Sequence, residues 1–149
     1  MMKKNVLAML CAALVLSANC ANYENHMLAF AEDVKSGEWG KVNWTLEDHV
    51  LTVSGNGDIY TIIGWHGSTL PSWDNYKDDI YEIILQEGIT GADEYAFADY
   101  PNLEKITIPS TFTELDPYVL YNNPNLTEIN GLEYIEIFNY RCLSDTAYT

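Results

Sequence analysis

Apolar residues recur in this chain at a fixed interval, and polar residues keep step between them. Ile83, Ile106 and Ile129 stand 23 residues apart, as do Ile89, Phe112 and Ile135. The same offset takes Leu85 to Ile108, Ala92 to Leu115 to Phe138, and Phe97 to Leu120 to Leu143. It relates Pro101-Asn102-Leu103 to Pro124-Asn125-Leu126, aligns Asp93, Asp116 and Asn139, and sets Tyr95 above Tyr118. Ungapped agreement at this many positions marks an internal repeat. Units of this kind stack because none can bury its apolar residues alone.

Within each unit, Ile83-Ile84-Leu85 and Ile106-Thr107-Ile108 alternate as short strands, with Ile83, Leu85, Ile106 and Ile108 on one inward face. A turn follows, carrying Gly88 in one unit and Pro109 in the next. A second stretch then returns across the back with Ala92 and Phe97, or Leu115 and Leu120. A period of 23 lies within the ~20–29 residues of leucine-rich repeats. The predicted fold is mainly β with short irregular or helical turns. It is a leucine-rich-repeat solenoid of about three coils over residues 81–149, with an N-terminal β-hairpin cap. The positions between the inward residues form its outward strand face, the concave surface that solenoids usually offer to a ligand. Glu82, Lys105 and Glu128 make one row of that face, Ile84, Thr107 and Asn130 the next, and Gln86, Pro109 and Leu132 the third. The candidate ligand-binding residues are therefore Glu82, Ile84, Gln86, Lys105, Thr107, Glu128 and Asn130.

Before the repeats the period changes to two. Val42, Trp44 and Leu46 alternate with polar residues, as do Leu51 and Val53, with Glu47-Asp48-His49 between the runs and Gly55-Asn56-Gly57 after them. This predicts a hairpin or short meander over 42–60, placed to cover the open end of the first coil. Residues 61–80 are less regular, broken by Gly64, Gly67 and Pro71 and anchored by Trp65 and Trp73. Residues 32–80 thus form a linker and capping region. At the far end the last coil reaches Thr149 without a polar capping segment, so its edge is expected to be exposed and open to self-association.

The first 31 residues read as a leader. Lys3 and Lys4 precede an uncharged apolar run from Val6 to Leu16, too short for the ~20 residues that span a bilayer. Ala29-Phe30-Ala31 offers a small-x-small cleavage site before Glu32. In the alternative, Ser17-Ala18-Asn19-Cys20 is a loose lipobox that would put a lipid on Cys20. Cleavage after Ala31 is the preferred reading, and secretion follows from it, with lipid anchoring at a bacterial surface as the alternative. Either way Cys142 is left without an internal disulfide partner. It lies 23 residues after Val119 and 46 after Ala96, both small and inward, so a buried thiol is expected.

Charge excludes some functions. The chain has 22 acidic against 7 basic residues, a net charge of −15, and phosphate backbones are held by Lys and Arg, so nucleic acid is not an expected partner. No stretch after the leader is apolar enough to span a membrane. No catalytic constellation assembles. His49 falls in the hairpin turn, and His66 lies in Gly64-Trp65-His66-Gly67-Ser68 without the strand–turn–helix context of a nucleophile. Asp74, Asp78 and Asp79 cluster without the spacing of a calcium loop. No metal or cofactor is expected, and the chain is expected not to be an enzyme. Trp39 and Trp65 are the aromatic residues freest to form a sugar platform, so a carbohydrate-binding module is one alternative. A truncated structural repeat protein without its own ligand is another.

The sequence resembles the BspA-type leucine-rich repeats of bacterial surface and secreted proteins. The resemblance rests on Val42-Asn43-Trp44-Thr45-Leu46, on Leu51-Thr52-Val53-Ser54-Gly55-Asn56-Gly57 and on Pro71-Ser72-Trp73. It continues through Ile80, Ile83-Ile84-Leu85, Glu87-Gly88-Ile89-Thr90, Tyr95-Ala96-Phe97, Pro101-Asn102-Leu103 and Ile106-Thr107-Ile108-Pro109. It covers the chain from Gly37 to Leu143. Tyr100 and Asn123 depart from the Cys or small residue usual at their position, and the third unit departs most. The resemblance implies an adhesin-like module that binds a host matrix protein, such as fibronectin or fibrinogen, or another surface protein.

Overall fold

The computed structural model describes residues 34–62 and 69–149. The leader, with Cys20 and the cleavage site at Ala31, lies outside the described residues, as do Trp65 and His66. The described chain is mainly β with little helix.

Strand β1 (Lys35–Trp39) pairs antiparallel with β2 (Val42–Glu47), and β2 with β3 (Val50–Gly55). The alternation read from the sequence is the alternation of burial. Val42, Trp44 and Leu46 are buried while Asn43, Thr45 and Glu47 are exposed. Asp48 and His49 close the β2–β3 hairpin with left-handed φ values of 52° and 65°. A two-residue hairpin turn that follows the strand twist needs that pair, and Asp and His tolerate it better than most residues. Strand β1 is an addition that the alternation over 42–60 did not foresee.

From β3 onward the sheet is parallel. Between β3 and the repeats lies β4 (Gly57–Ile59). Strand β5 (Glu82–Leu85) lies beside β3; β6 (Ile89–Ala92) pairs parallel with β4. Strand β7 (Lys105–Thr107) lies beside β5, while β8 (Glu114–Leu115) stands apart from this sheet. Strand β9 (Glu128–Asn130) lies beside β7, and β10 (Ile137–Phe138) pairs parallel with β8. The six-stranded sheet runs in the order β1-β2-β3-β5-β7-β9. Its register keeps the repeat, with Ile83 beside Ile106 and Ile106 beside Ile129.

Side chains repeat at the same interval. Ser110 donates to Glu87, Asn122 to Asp99, and the Thr111 hydroxyl accepts from the Gly88 amide, each pair 23 residues apart. The backbone follows suit. Tyr95, Tyr118 and Arg141 are left-handed, and so are Asp99, Asn122 and Asp145. Gly131 is required for a different reason: its φ is 92°, and a side chain there would run into the Ile108 carbonyl.

The core is continuous from the hairpin into the repeats. Trp73 is fully buried, edge-on to Trp44 at 6.2 Å and stacked on Phe97 at 6.3 Å. Trp73 sits in a 3₁₀ helix (Ser72–Asp79), where the breakers around it had suggested irregular chain. The Trp44 indole N–H donates to Ser72 Oγ at 2.9 Å and its ring lies against Gly37, where any side chain would collide. Burial of each such large apolar side chain is worth about 1.5–3 kcal/mol. Cys142 is buried as Val119 and Ala96 are, and burial pushes its thiol above the usual range.

Among the described residues, Asn123 is polar and wholly buried. Asn123 accepts from the Tyr100 amide at 2.8 Å and donates to the Phe97 and Leu120 carbonyls, both at 2.9 Å. It thereby satisfies backbone groups that the turn leaves without partners.

Candidate functional site

With Ile83, Leu85, Ile106 and Ile129 turned into the core, their neighbours must emerge on the opposite face of the sheet. Glu82, Lys105 and Glu128 are direct neighbours across β5, β7 and β9. Lys105 Nζ lies 3.3 Å from Glu82 Oε1 and 3.4 Å from Glu128 Oε1. Asn130, two residues along β9, donates its amide to the same Glu128 oxygen at 2.9 Å. The electrostatics follow from these contacts. The Glu82 hydrogen bond first, and then the Glu128 charge, raise Lys105 above the ordinary lysine value. The Asn130 amide, more than the Lys105 charge, holds Glu128 below the usual glutamate range.

The second row reaches further than the sequence suggested. Ile84 stands beside Thr107, and Thr107 beside Asn130. In the other direction Ile84 is next to Thr52, Thr52 to Thr45, and Thr45 to Ser36. A single line of mostly hydroxyl and amide side chains therefore crosses all six strands. Alternation alone marks Thr45 and Thr52 as outward, but the parallel pairing of β3 with β5 is what joins them to the repeats. Gln86 is exposed just past β5. Pro109 is buried and Leu132 is packed against the core, so neither extends the third row of the outward face.

At the start of the strands the first row lines an open groove of about 300 Å³. Its floor is Glu82, Lys105 and Glu128, and its rim is Asp48 and His49 of the hairpin turn with Tyr81, Glu104 and Thr127. Tyr81, Glu104 and Thr127 are themselves 23 residues apart. A repeated backbone device builds the rim. The His49 carbonyl accepts from the amides of Tyr81 and Glu82, the Tyr81 carbonyl from Glu104 and Lys105, and the Glu104 carbonyl from Thr127 and Glu128. The hairpin turn thus stands where a preceding repeat would. The series 81, 104, 127 was legible in the spacing; the arrival of His49 and Asp48 was not, because the offset of the hairpin differs from the repeat.

Other residues with chemistry fall elsewhere. His49 donates from Nδ1 to the Asp79 carbonyl at 2.9 Å, with Tyr81 edge-on to its ring at 5.0 Å. Asp79 pairs with Lys35 at 3.7 Å, and burial raises the Asp74 carboxyl above its usual value. Among the described residues no three His, Cys, Asp or Glu side chains are grouped to hold a metal ion. No helix among them is long and apolar enough to cross a membrane. Trp39 is less free than expected. It packs against the core, stacks on Tyr60 at 5.2 Å, and spends its indole N–H on the Tyr60 carbonyl.

The arrangement is that of a repeat sheet with one polar face, and comparison with known proteins points the same way. Residues 75–149 match the family model of the BspA type leucine rich repeat region, six copies long. No curated protein matches the chain in sequence. Among solved structures, a leucine-rich repeat protein from Eubacterium ventriosum is similar over 70% of this chain, with 25% identity and a TM-score of 0.57. A leucine rich cell surface protein from Faecalibacterium prausnitzii aligns over 77% of this chain with 16% identity and a TM-score of 0.39. The chain spans only 28% of the first protein's length and 47% of the second's. By the 23-residue register of its strands and by this match, the chain belongs to the BspA-type leucine-rich repeat family.

Proposed function

We propose that the outward face of the six-stranded sheet binds a protein, and that the chain acts as a secreted or surface-associated, adhesin-like module without a catalytic step. The observation that carries this reading is the continuity of the face. A mostly polar row of side chains crosses all six strands, and in the groove at their start Lys105 is held between Glu82 and Glu128. Side chains already held in place lose little freedom on binding, which favours association with a preformed partner surface. Stacked as about three coils, the repeats would make this the concave side of a solenoid. A host matrix or other surface protein is the partner class that the family resemblance implies.

The test is a screen of the purified full-length chain against immobilised fibronectin, fibrinogen, mucin and glycans, at low and raised salt. Saturable binding to a protein is expected, weakened about 5-fold or more by Ile84→Arg or Thr107→Arg, as for a central interface residue. Silence across the panel, from a sample shown to be folded, would sink the reading. One observation favours a glycan instead: Tyr60 is 42% exposed beside Trp39. Sugar binding lost on Tyr60→Ala and indifferent to Thr107→Arg would move the site there.

A further inference from the structure

A group of tyrosines lies outside both the core and the sheet face. Tyr95 and Tyr118, one repeat apart, stack with ring centroids at 4.9 Å and planes 6° apart. Tyr121 and Tyr140 meet Tyr118 edge-on at 5.6 and 5.5 Å. None of the four belongs to the buried cluster, and Tyr140 is 68% exposed.

A cation already sits on these rings. Arg141 follows Tyr95 and Tyr118 in the 23-residue series, and its guanidinium is 5.2 Å from the Tyr121 centroid and 6.0 Å from that of Tyr118. Aromatic faces attract a cation at such distances through their quadrupole. Asp145 holds the same guanidinium at 3.3 Å, so the geometry is that of a cation held between rings and a carboxylate. More carboxylates stand within two residues of the stacked rings, Asp93 and Glu94 before Tyr95 and Asp116 before Tyr118. Burial first, and then the charges of Glu114, Asp93 and Glu94, raise Asp116 above its usual value. Among the described residues no ion pair reaches any of these four. Negative charge crowded beside aromatic faces is relieved by an incoming positive group.

We propose that this tyrosine cluster is a second docking surface, one that receives the arginine or lysine side chains of a basic segment of a protein partner. Arg141 is the internal stand-in for that ligand. Charge complementarity favours a basic peptide over a sugar: Asp145 already holds the internal cation, Asp93, Glu94 and Asp116 flank the rings along the chain, and the overall charge is −15. Tyr140 and Tyr121 also stand edge-on to Tyr118, at 82° and 87°, and so break up the flat platform that best serves a sugar.

A fluorescein-labelled peptide of alternating glycine and arginine tests this by anisotropy with the full-length chain, at physiological and raised salt. Tyr95→Leu and Tyr118→Leu are each expected to weaken binding about 2- to 5-fold, the range of an exposed cation–π contact. Should either variant fold poorly, Arg141→Gln remains informative. It vacates the faces of Tyr118 and Tyr121 and is expected to tighten binding by a similar factor, including at raised salt, where a mere change of net charge is screened. A purely structural role for Arg141 would not produce that gain. Ile84→Arg tests the sheet face alone, so loss of one reading leaves the other standing. Peptide binding that ignores Tyr118→Leu, or that weakens on Arg141→Gln, overturns the proposal. So does saturable binding of N-acetylglucosamine oligomers that disappears in Tyr118→Leu, which would make the cluster a glycan platform.

Discussion

The middle repeat and the last share one frame and meet different fates in it. Leu115 in β8 is 1% exposed, whereas Phe138, at the same position one repeat later in β10, is 53% exposed. Phe138 is the larger and no less apolar. The difference lies in what stands beside it: β8 is packed between β6 and its partner β10, whereas β10, among the described residues, is paired with β8 alone. Position 123 repeats the lesson in polar form. Asn123 is wholly buried and makes three hydrogen bonds, while Thr146, 23 residues on, is half-buried and makes one, to the Leu143 carbonyl at 2.9 Å. In a stacked repeat, burial belongs to the neighbour as much as to the residue.

The largest expected effect tests that statement at the polar position. Asn123→Ala leaves the Tyr100 amide and two carbonyls buried without partners, at roughly 1–3 kcal/mol each, so a loss of about 3 kcal/mol or more is expected. Thr146→Ala should cost about 1 kcal/mol, the net worth of one hydrogen bond. Chemical denaturation of the two variants measures the gap, and equal losses would break the comparison. At the apolar position, Leu115→Ala should cost about 2–5 kcal/mol as a core truncation. Phe138→Ala should cost under about 1 kcal/mol, as a surface change does. A Phe138→Ala loss as large as that of Leu115→Ala would mean that the last repeat is covered in solution.

The same contrast explains how far the sequence could be read. A 23-residue offset carries the inward isoleucines, the outward rows and even the buried thiol of Cys142, because equivalent residues occupy equivalent places. It supplied the three repeat strands β5, β7 and β9 of the six-stranded sheet, and the alternation over 42–60 supplied the hairpin. Four features were out of reach for physical reasons. Strand β1 is short and includes Gly37, which carries no side chain to show a period. The 3₁₀ helix at Ser72–Asp79 follows Pro71 and has a single buried residue, Trp73, so it shows no apolar stripe. The groove depends on the hairpin turn, whose offset from Tyr81 is not the repeat's. Exposure of Phe138 could not be read from its own position, since the register that identifies it as apolar says nothing about the next strand.

The smallest expected effect uses the last repeat as a guide to the middle one. Asp93 and Asp116 are followed in register by Asn139, whose amide donates to Glu114 Oε1 at 2.8 Å. Asp116 lies near the same carboxylate, and burial, then Glu114 and Asp93, raise its pKa in the folded chain. The folded state therefore binds that proton more tightly than the unfolded state does. Between the two pKa values stability falls as pH rises, and above both of them the ionised group destabilises the fold by a constant amount. Asp116→Asn removes this charge and copies the choice made at 139. Its melting temperature should exceed that of the parent chain at neutral pH. The gap should narrow as pH falls through the raised value and vanish below the ordinary aspartate range. Thermal melts across that span decide the matter. A gap that persists in acid would assign the gain to a new hydrogen bond from residue 116, and a variant less stable at neutral pH would show that the Asp116 carboxylate has a stabilising partner.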